Sequence, residues 1–209
     1  MAASLEHVLG RIESGSFPPA DGKVTVVPEP SPGTSAVVAF TGHAVIAADV
    51  DESWVRDRVP EDDLGAPLSP PFLAALGTHL GRDVGCIDMV TLATHLDGAP
   101  AVPLAPVAGS THPRVRRATR YRSEVTVWTT PGAVLVLGRG LAGRWEAAIE
   151  VDPPARGRGL GRALATAARH LIPVDQKVWA QISPGNAASV RAFLHAGFTP
   201  VGSEALLVK

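Results

Sequence analysis

The sequence predicts a mixed α/β fold, on three observations. Apolar residues recur with period two in some stretches and with the helical period in others, and in the second half the order reads β-β-β-α-β-α. The 209 residues are 45% apolar and only 19% charged, which supplies a core and is unlike a disordered chain. A strand pattern ending at Val151 runs through a glycine-rich turn straight into a helical pattern from Leu160.

In the first half, Lys23–Val27 reads as a strand. Ala36–Phe40 and His43–Asp49 form a hairpin around Thr41-Gly42. Glu52–Val59 and Pro71–Leu80 have helical character, the second with Phe72, Leu73, Leu76 and Leu80 on its apolar side. Cys86–Ala93 is a further strand. The stretch 96–113 has no helical or strand period and is crowded with proline and glycine, so it reads as a linker or a long surface loop. The expected organisation is an acidic α/β region over 1–97, a linker over 98–112 and a second region over 113–209. His112–Arg122 is a short arginine-rich helix. Glu124–Thr130 and Ala133–Leu137 are strands joined at Pro131-Gly132, and Trp145–Val151 is a third, stopped by Asp152-Pro153-Pro154. Leu160, Ala163, Leu164, Ala167 and Leu171 share a helical face that ends before Pro173. Val178, Ala180 and Ile182 alternate as a strand. Asn186–Ala196 is a helix with Asn186 as its cap and Gly197 as its stop, and a short strand at Ala205–Val208 closes the order.

Several classes of function are set aside by composition. No apolar run approaches the ~18 residues of a membrane span, and the first twenty residues carry Glu6 and Glu13 where a signal peptide needs an apolar stretch. Cys86 is the only cysteine, which excludes an intramolecular disulfide and a multi-thiolate metal site. The seven histidines show no metal-ligand spacing, so no metal is expected. A cytoplasmic protein is the expectation. Three lysines against sixteen arginines reflect a GC-rich bacterial coding bias more than a functional choice.

Charge is unevenly spread. Residues 1–100 sum to −9 and residues 101–209 to +8. Either the halves attract each other, or the basic half binds an anionic ligand while the acidic half faces a cationic one.

The stretch that carries chemistry is Val151-Asp-Pro-Pro-Ala-Arg156-Gly-Arg-Gly159-Leu-Gly161-Arg162. Glycines let the backbone turn tightly and approach a ligand. The first-turn N–H groups of the following helix present the positive end of its dipole, a pyrophosphate cradle, and Arg156, Arg158 and Arg162 add charge. It is not a P-loop, which needs a lysine after its second glycine, nor a dinucleotide fingerprint. A GxGxxG does occur at Gly138–Gly143, but a strand pattern follows it, so it reads as a hairpin loop.

Arg156-x-x-Gly159-x-Gly161 after such a strand resembles the acyl-coenzyme A signature of the GNAT N-acetyltransferase superfamily. The run Asn186-Ala-Ala-Ser189-Val-Arg-Ala-Phe193-Leu-His-Ala-Gly197-Phe198 is similar to that family's late helix, and the resemblance covers about residues 115–209. It implies a GNAT-like mixed central sheet flanked by helices, with the N-terminal half either a degenerate half-copy or the part that completes the sheet. It also implies acetyl-coenzyme A as co-substrate and direct attack by a bound primary amine on a small molecule or a protein. The alternative is an acyl-coenzyme A-binding or regulatory module without turnover.

Residue by residue, the resemblance implies that backbone N–H groups of Gly157, Arg158, Gly159, Leu160, Gly161 and Arg162 hold the pyrophosphate, beside Arg156. The main chain of Ile149, Glu150 and Val151 would pair with the pantetheine arm, and an N–H there would polarise the thioester carbonyl. Asn186 and Ser189 would contact that arm or shape the cleft between two central strands. Phe193 stands where the family often has a tyrosine that protonates the leaving thiolate. Phenylalanine has no proton to give, and the only tyrosine is Tyr121, before the strands. Ser189, His195 or water would then serve. The candidate bases are Glu146 and Glu150, which share a face of a regular strand. The family position falls on Trp145 by counting, and a bulge would bring Glu146 into it, so Glu146 is the favoured base. His195 lies roughly 200° round the helix from Phe193, a surface placement.

Two charged clusters complete the reading. Arg114–Arg122 holds five arginines in nine residues. It reads as a solvated or docking helix face, or as a contact for the coenzyme's 3′-phosphate, with no nucleic acid expected. Asp57, Glu61, Asp62 and Asp63 read as a solubilising surface or as attraction for a cationic acceptor. Nothing in the sequence sets an oligomeric state.

Overall fold

Hydrophobic burial organises the chain into two compact units, Met1–Val90 with Val201–Lys209, and Thr91–Pro200. The computed structural model describes residues 4–61 and 63–209.

The first unit opens with a helix, Leu5–Glu13 (α1), which the sequence reading does not anticipate. Leu5, Leu9 and Ile12 recur at helical spacing and are buried, and the Ser4 hydroxyl accepts from the His7 amide at 3.2 Å as an N-cap. Strands Val24–Val27 (β1), Thr34–Phe40 (β2) and His43–Ala47 (β3) follow. β2 and β3 form the expected hairpin, and β1 runs parallel to β3. His43 ties the start of β3 to its neighbours, with Nδ1 2.8 Å from Asp21 Oδ1 and Nε2 3.0 Å from Thr25 Oγ1. Glu52–Arg56 (α2) and Pro70–Leu80 (α3) supply Val55, Phe72, Leu73 and Leu76 to a core shared with Val37 and Ile46. The last strand, Thr199–Val208 (β10), pairs antiparallel with β2, Ser203 opposite Ala39 through Val208 opposite Thr34. It is ten residues long, against the four expected at Ala205–Val208. Asp83–Thr94 (β4) begins here, where Gly85 lies against the Leu206 carbonyl.

The end of β4 belongs to the second unit, where the Thr91 hydroxyl donates to the Ala180 carbonyl at 3.1 Å. Ala105–Pro106 (β5), Ser123–Thr130 (β6), Ala133–Arg139 (β7) and Trp145–Val151 (β8) pair antiparallel in sequence. Lys177–Ile182 (β9) runs parallel to β8. The proline-rich stretch 98–112 lies within this unit. Helix Pro113–Tyr121 (α4) lays Val115 and Ala118 on Val127, Val134 and Val136. Leu160–Leu171 (α5) buries Leu164, Ala165, Ala167 and Ala168. Ala187–His195 (α6) buries Phe193, edge-on to Phe198 with ring centroids 4.9 Å apart. The Gly138–Gly143 motif closes the β7–β8 hairpin, as its flanking strand pattern requires. Both units are mixed sheets with helices, so the α/β expectation holds. Among the described residues no helix is long and apolar enough to cross a membrane.

Candidate functional site

The site is built around β8. On one side every residue of β8 pairs with β7, from Arg139 opposite Trp145 to Ala133 opposite Val151. On the other side β8 and β9 pair at a single position, Glu146 opposite Trp179. Among the described residues, Ala147–Val151 therefore has no paired strand on its β9 side, and the two strands part there. Ile149, Glu150 and Val151, three of the sequence-predicted residues, lie on this unpaired stretch and are half-buried.

Val151 leads into the arginine–glycine loop. Gly157 and Gly159 both adopt positive φ, +75° and +80°, and a Cβ at either would meet open space. Backbone conformation, not crowding, requires glycine there. Gly159 is the N-cap of α5 and brings no side-chain acceptor. The caps of α1, α3, α4 and α6 do bring one, from Ser4, Ser69, His112 and Asn186. Arg156, Arg158 and Arg162 are exposed around this uncapped end. Arg156 also braces the loop, donating through Nε to the Val151 carbonyl at 2.9 Å. Leu160 and Gly161 are half-buried in the first turn, and Gly161 packs near Ile149, Val151 and Ala192. Uncapped N–H groups, a positive dipole end and three arginines form a cradle suited to a pyrophosphate.

The late-helix motif has a local explanation as well. Asn186 Oδ1 accepts from the Ser189 amide at 3.1 Å and caps α6. Ser189 is half-buried, one turn before the buried Phe193. His195 is exposed with Nδ1 2.7 Å from the Arg191 carbonyl, the surface placement expected from its angle on the helix.

The two glutamates of β8 meet different surroundings. Glu146 is buried, with Oε2 2.9 Å from Arg122 Nε and Oε1 2.9 Å from Arg144 Nε, and it accepts from the Leu141 amide at 3.2 Å. Burial alone would push its carboxyl pKa up. The charges and hydrogen bonds of Arg144 and Arg122 outweigh that and hold it below the ordinary value. The hairpin closes tightly over it, and a Cβ on Gly140 would overlap the Glu146 carboxylate. Among the described residues Glu150 has one ionic partner, Arg114 Nε at 3.2 Å, and both side chains are 38% exposed.

These pairs also place the arginine run. Arg114, in the first turn of α4, and Arg122, the extended residue just after it, are eight residues apart, about 12 Å at helical rise, and Glu150 and Glu146 are four apart, about 13 Å along a strand. α4 therefore lies along β8 and matches its two acids with two arginines. Arg116, Arg117 and Arg120 remain exposed. Sequence reasoning did not find the partners Arg122 and Arg144. The available signal was a glutamate between Trp145 and Ala147 in a strand, a charge that burial obliges the fold to pair. Of the acidic group, Asp63 accepts from the Gly65 and Ala66 amides at 2.9 and 3.1 Å, Asp57 and Glu61 are exposed, and Asp62 lies outside the described residues. Among the described residues no three metal-ligating side chains cluster.

Residues 133–198, from β7 through the end of the α6 motif, match the model of the acetyltransferase (GNAT) family. The resemblance read from the sequence thus holds over that segment. No curated protein matches the chain. Solved structures similar to it include a GCN5-related N-acetyltransferase from Kribbella flavida, at 17% identity over 66% of this chain and 64% of that one, with a TM-score of 0.43. Another is a GCN5-related N-acetyltransferase from Sphaerobacter thermophilus, at 16% identity over 68% and 56%, TM-score 0.38. A tandem GNAT protein from the clavulanic acid biosynthesis pathway is similar at 16% identity over 68% and 59%, TM-score 0.39. The chain thus spans less than two thirds of the length of each of these proteins.

Proposed function

We propose that the protein is an N-acetyltransferase that moves an acetyl group from acetyl-coenzyme A to a primary amine on a small molecule or a protein. The observation that carries this reading is the parting of β8 from β9, beyond which the unpaired strand runs into an uncapped, arginine-ringed helix start. The acyl-carrying co-substrate would supply the activated acetyl group as a thioester. Backbone N–H groups of residues 157–162 would hold its pyrophosphate, with Arg158 and Arg162 adding charge and Arg156 bracing the loop. The main chain of Ile149–Val151 would hydrogen-bond its amide-bearing arm in the manner of a strand. One N–H of that stretch would stabilise the developing oxyanion. Asn186 would keep α6 in place along the arm.

Of the two acids, Glu150 fits the base better. It is reachable, on the same strand face as Glu146, and free of a second cation. Glu146 is engaged by two arginines and an amide, which leaves little basicity, so we assign it to anchoring the point where the strands part. The amine nitrogen, freed of a proton by Glu150, attacks the carbonyl carbon. The C–N bond forms, the C–S bond breaks, the nitrogen gives up its remaining extra proton to water, and the thiolate leaves. Phe193 is buried and cannot protonate it, so the proton comes from water, directly or relayed through the Ser189 hydroxyl. A coenzyme A thiol is a fair leaving group, and turnover does not hinge on that acid. A cytoplasmic setting accords with an intracellular co-substrate.

Phe193 also favours a second reading, a module that binds acyl-coenzyme A without turning it over. Titration calorimetry with acetyl-coenzyme A, followed by thiol release with an amine panel, separates the two. One-to-one binding with thiol release supports the transferase, binding without release the module, and no binding defeats both.

A further inference from the structure

Arg122 and Gln181 carry hydrogen-bonding capacity that the proposed chemistry leaves unused. Arg122 spends Nε on Glu146 at 2.9 Å and reaches Gln181 Oε1 with Nη2 at 3.5 Å. Its Nη1 is buried with no hydrogen-bond partner among the described residues, and so is Gln181 Nε2. Both orphans are donors, they sit on side chains in contact, and native structures seldom leave such groups unmatched. Their place is specific too. Gln181 is two residues beyond Trp179, the last residue of β9 paired with β8, on the sheet face that α4 covers. Gln181 as a residue is half-buried, with its amide nitrogen just beneath the surface.

Charge on that face points the same way. Arg114 leans onto β8 to reach Glu150, and Arg117 follows one turn later on the same flank, exposed. With Arg122 and Arg144, three arginines pair with the two glutamates of β8 along this side. A polycationic amine would meet repulsion there, and a group that only accepts hydrogen bonds would meet donors.

We propose that the acceptor is an amine that carries its own carboxylate, with the carboxylate received by Arg122 and Gln181 and the nitrogen directed to Glu150. Two residues of strand separate Glu150 from the level of Gln181, roughly 6–7 Å. That is the reach of an ω-amino acid or of the side-chain carboxylate of an acidic amino acid. This inference rests on the transferase reading for its chemistry, but the subsite can be tested apart from it.

The test uses L-glutamate and 4-aminobutyrate against butylamine and spermidine. Calorimetry without acetyl-coenzyme A reads the subsite directly. Heat is expected with the two carboxylate amines, weakened about tenfold in Gln181→Leu and in the surface variant Arg117→Glu. In thiol-release assays, kcat/KM for 4-aminobutyrate should exceed that for butylamine about tenfold or more, and Gln181→Leu should collapse that ratio. Binding of carboxylate amines by a protein that ignores acetyl-coenzyme A would sink the transferase and leave the subsite standing. Binding of acetyl-coenzyme A with no carboxylate amine bound or used, or with spermidine preferred, would overturn the subsite alone. A Gln181→Leu variant that slows both amines equally would overturn it as well.

Discussion

Glu146 and Glu150 stand four residues apart on one face of β8, yet one is sealed and the other open. Glu146 lies at the β8–β9 pair, buried under the β7–β8 hairpin and held by Arg122 and Arg144. Glu150 lies where the strands have parted, over a third exposed and paired once. The contrast is one of surroundings along a single strand: a buried acid is fixed by two cations, and a half-exposed acid with one ionic partner stays reachable from solvent.

The largest expected effect breaks the sealed end. Glu146→Gln leaves two buried guanidinium groups facing a neutral amide, and it should cost about 3–5 kcal/mol of stability in urea unfolding. pH gives an independent check. Because the folded pKa of Glu146 is depressed below its ordinary value of 4.5, its stabilisation is complete above that pH and is lost as pH falls through the folded value. The wild-type protein should therefore lose more stability than Glu146→Gln on acidification below about pH 4.5. Equal acid sensitivity of the two proteins would mean that the clamp contributes little.

Glu150→Gln tests the open end. It should leave the urea midpoint within about 0.5 kcal/mol of wild type, since exposed pairs contribute little. Thiol release should drop by about a hundredfold, the lower range for loss of a general base. An unchanged rate would return the base to water or to another residue.

The contrast also marks what could be read before the fold was known. Strands with an apolar period and a turn signal, such as the hairpin at Pro131-Gly132, were legible because their cause is local. So was the start of α5, where three glycines and three arginines sit within seven residues. Helix α1 was overlooked because its apolar stripe of Leu5, Val8, Leu9 and Ile12 is short and broken by Gly10, and β10 was underestimated because Pro200 and Gly202 interrupt its pattern. The fate of Glu146 was invisible for a different reason. Arg122 lies 24 residues away in sequence, and only the packing of α4 along β8 brings it within 2.9 Å. Strand periodicity put both glutamates on one face correctly and could not say which end that helix would seal.

A smaller effect belongs to the loop beyond Val151. Arg158→Glu places a carboxylate beside the proposed pyrophosphate position and should weaken acetyl-coenzyme A binding roughly tenfold, about 1.4 kcal/mol. The difference should shrink at high salt because the site is exposed. An affinity that does not move would put the pyrophosphate elsewhere.

The smallest effect decides what Asn186 does. Its side chain caps α6 through the Ser189 amide at 3.1 Å, and an Asn→Ala change at such a cap costs about 1 kcal/mol. Both a cap and a direct contact with the coenzyme's arm predict weaker binding in Asn186→Ala, since a frayed α6 would disturb that arm too. Asn186→Ser separates them, because a serine hydroxyl caps a helix as well as asparagine does but is one atom shorter and has no amide N–H to offer a ligand. Recovery of both the urea midpoint and the acetyl-coenzyme A affinity in Asn186→Ser would make Asn186 a support for the open end of the site. Recovery of stability alone would make the amide N–H itself a ligand contact.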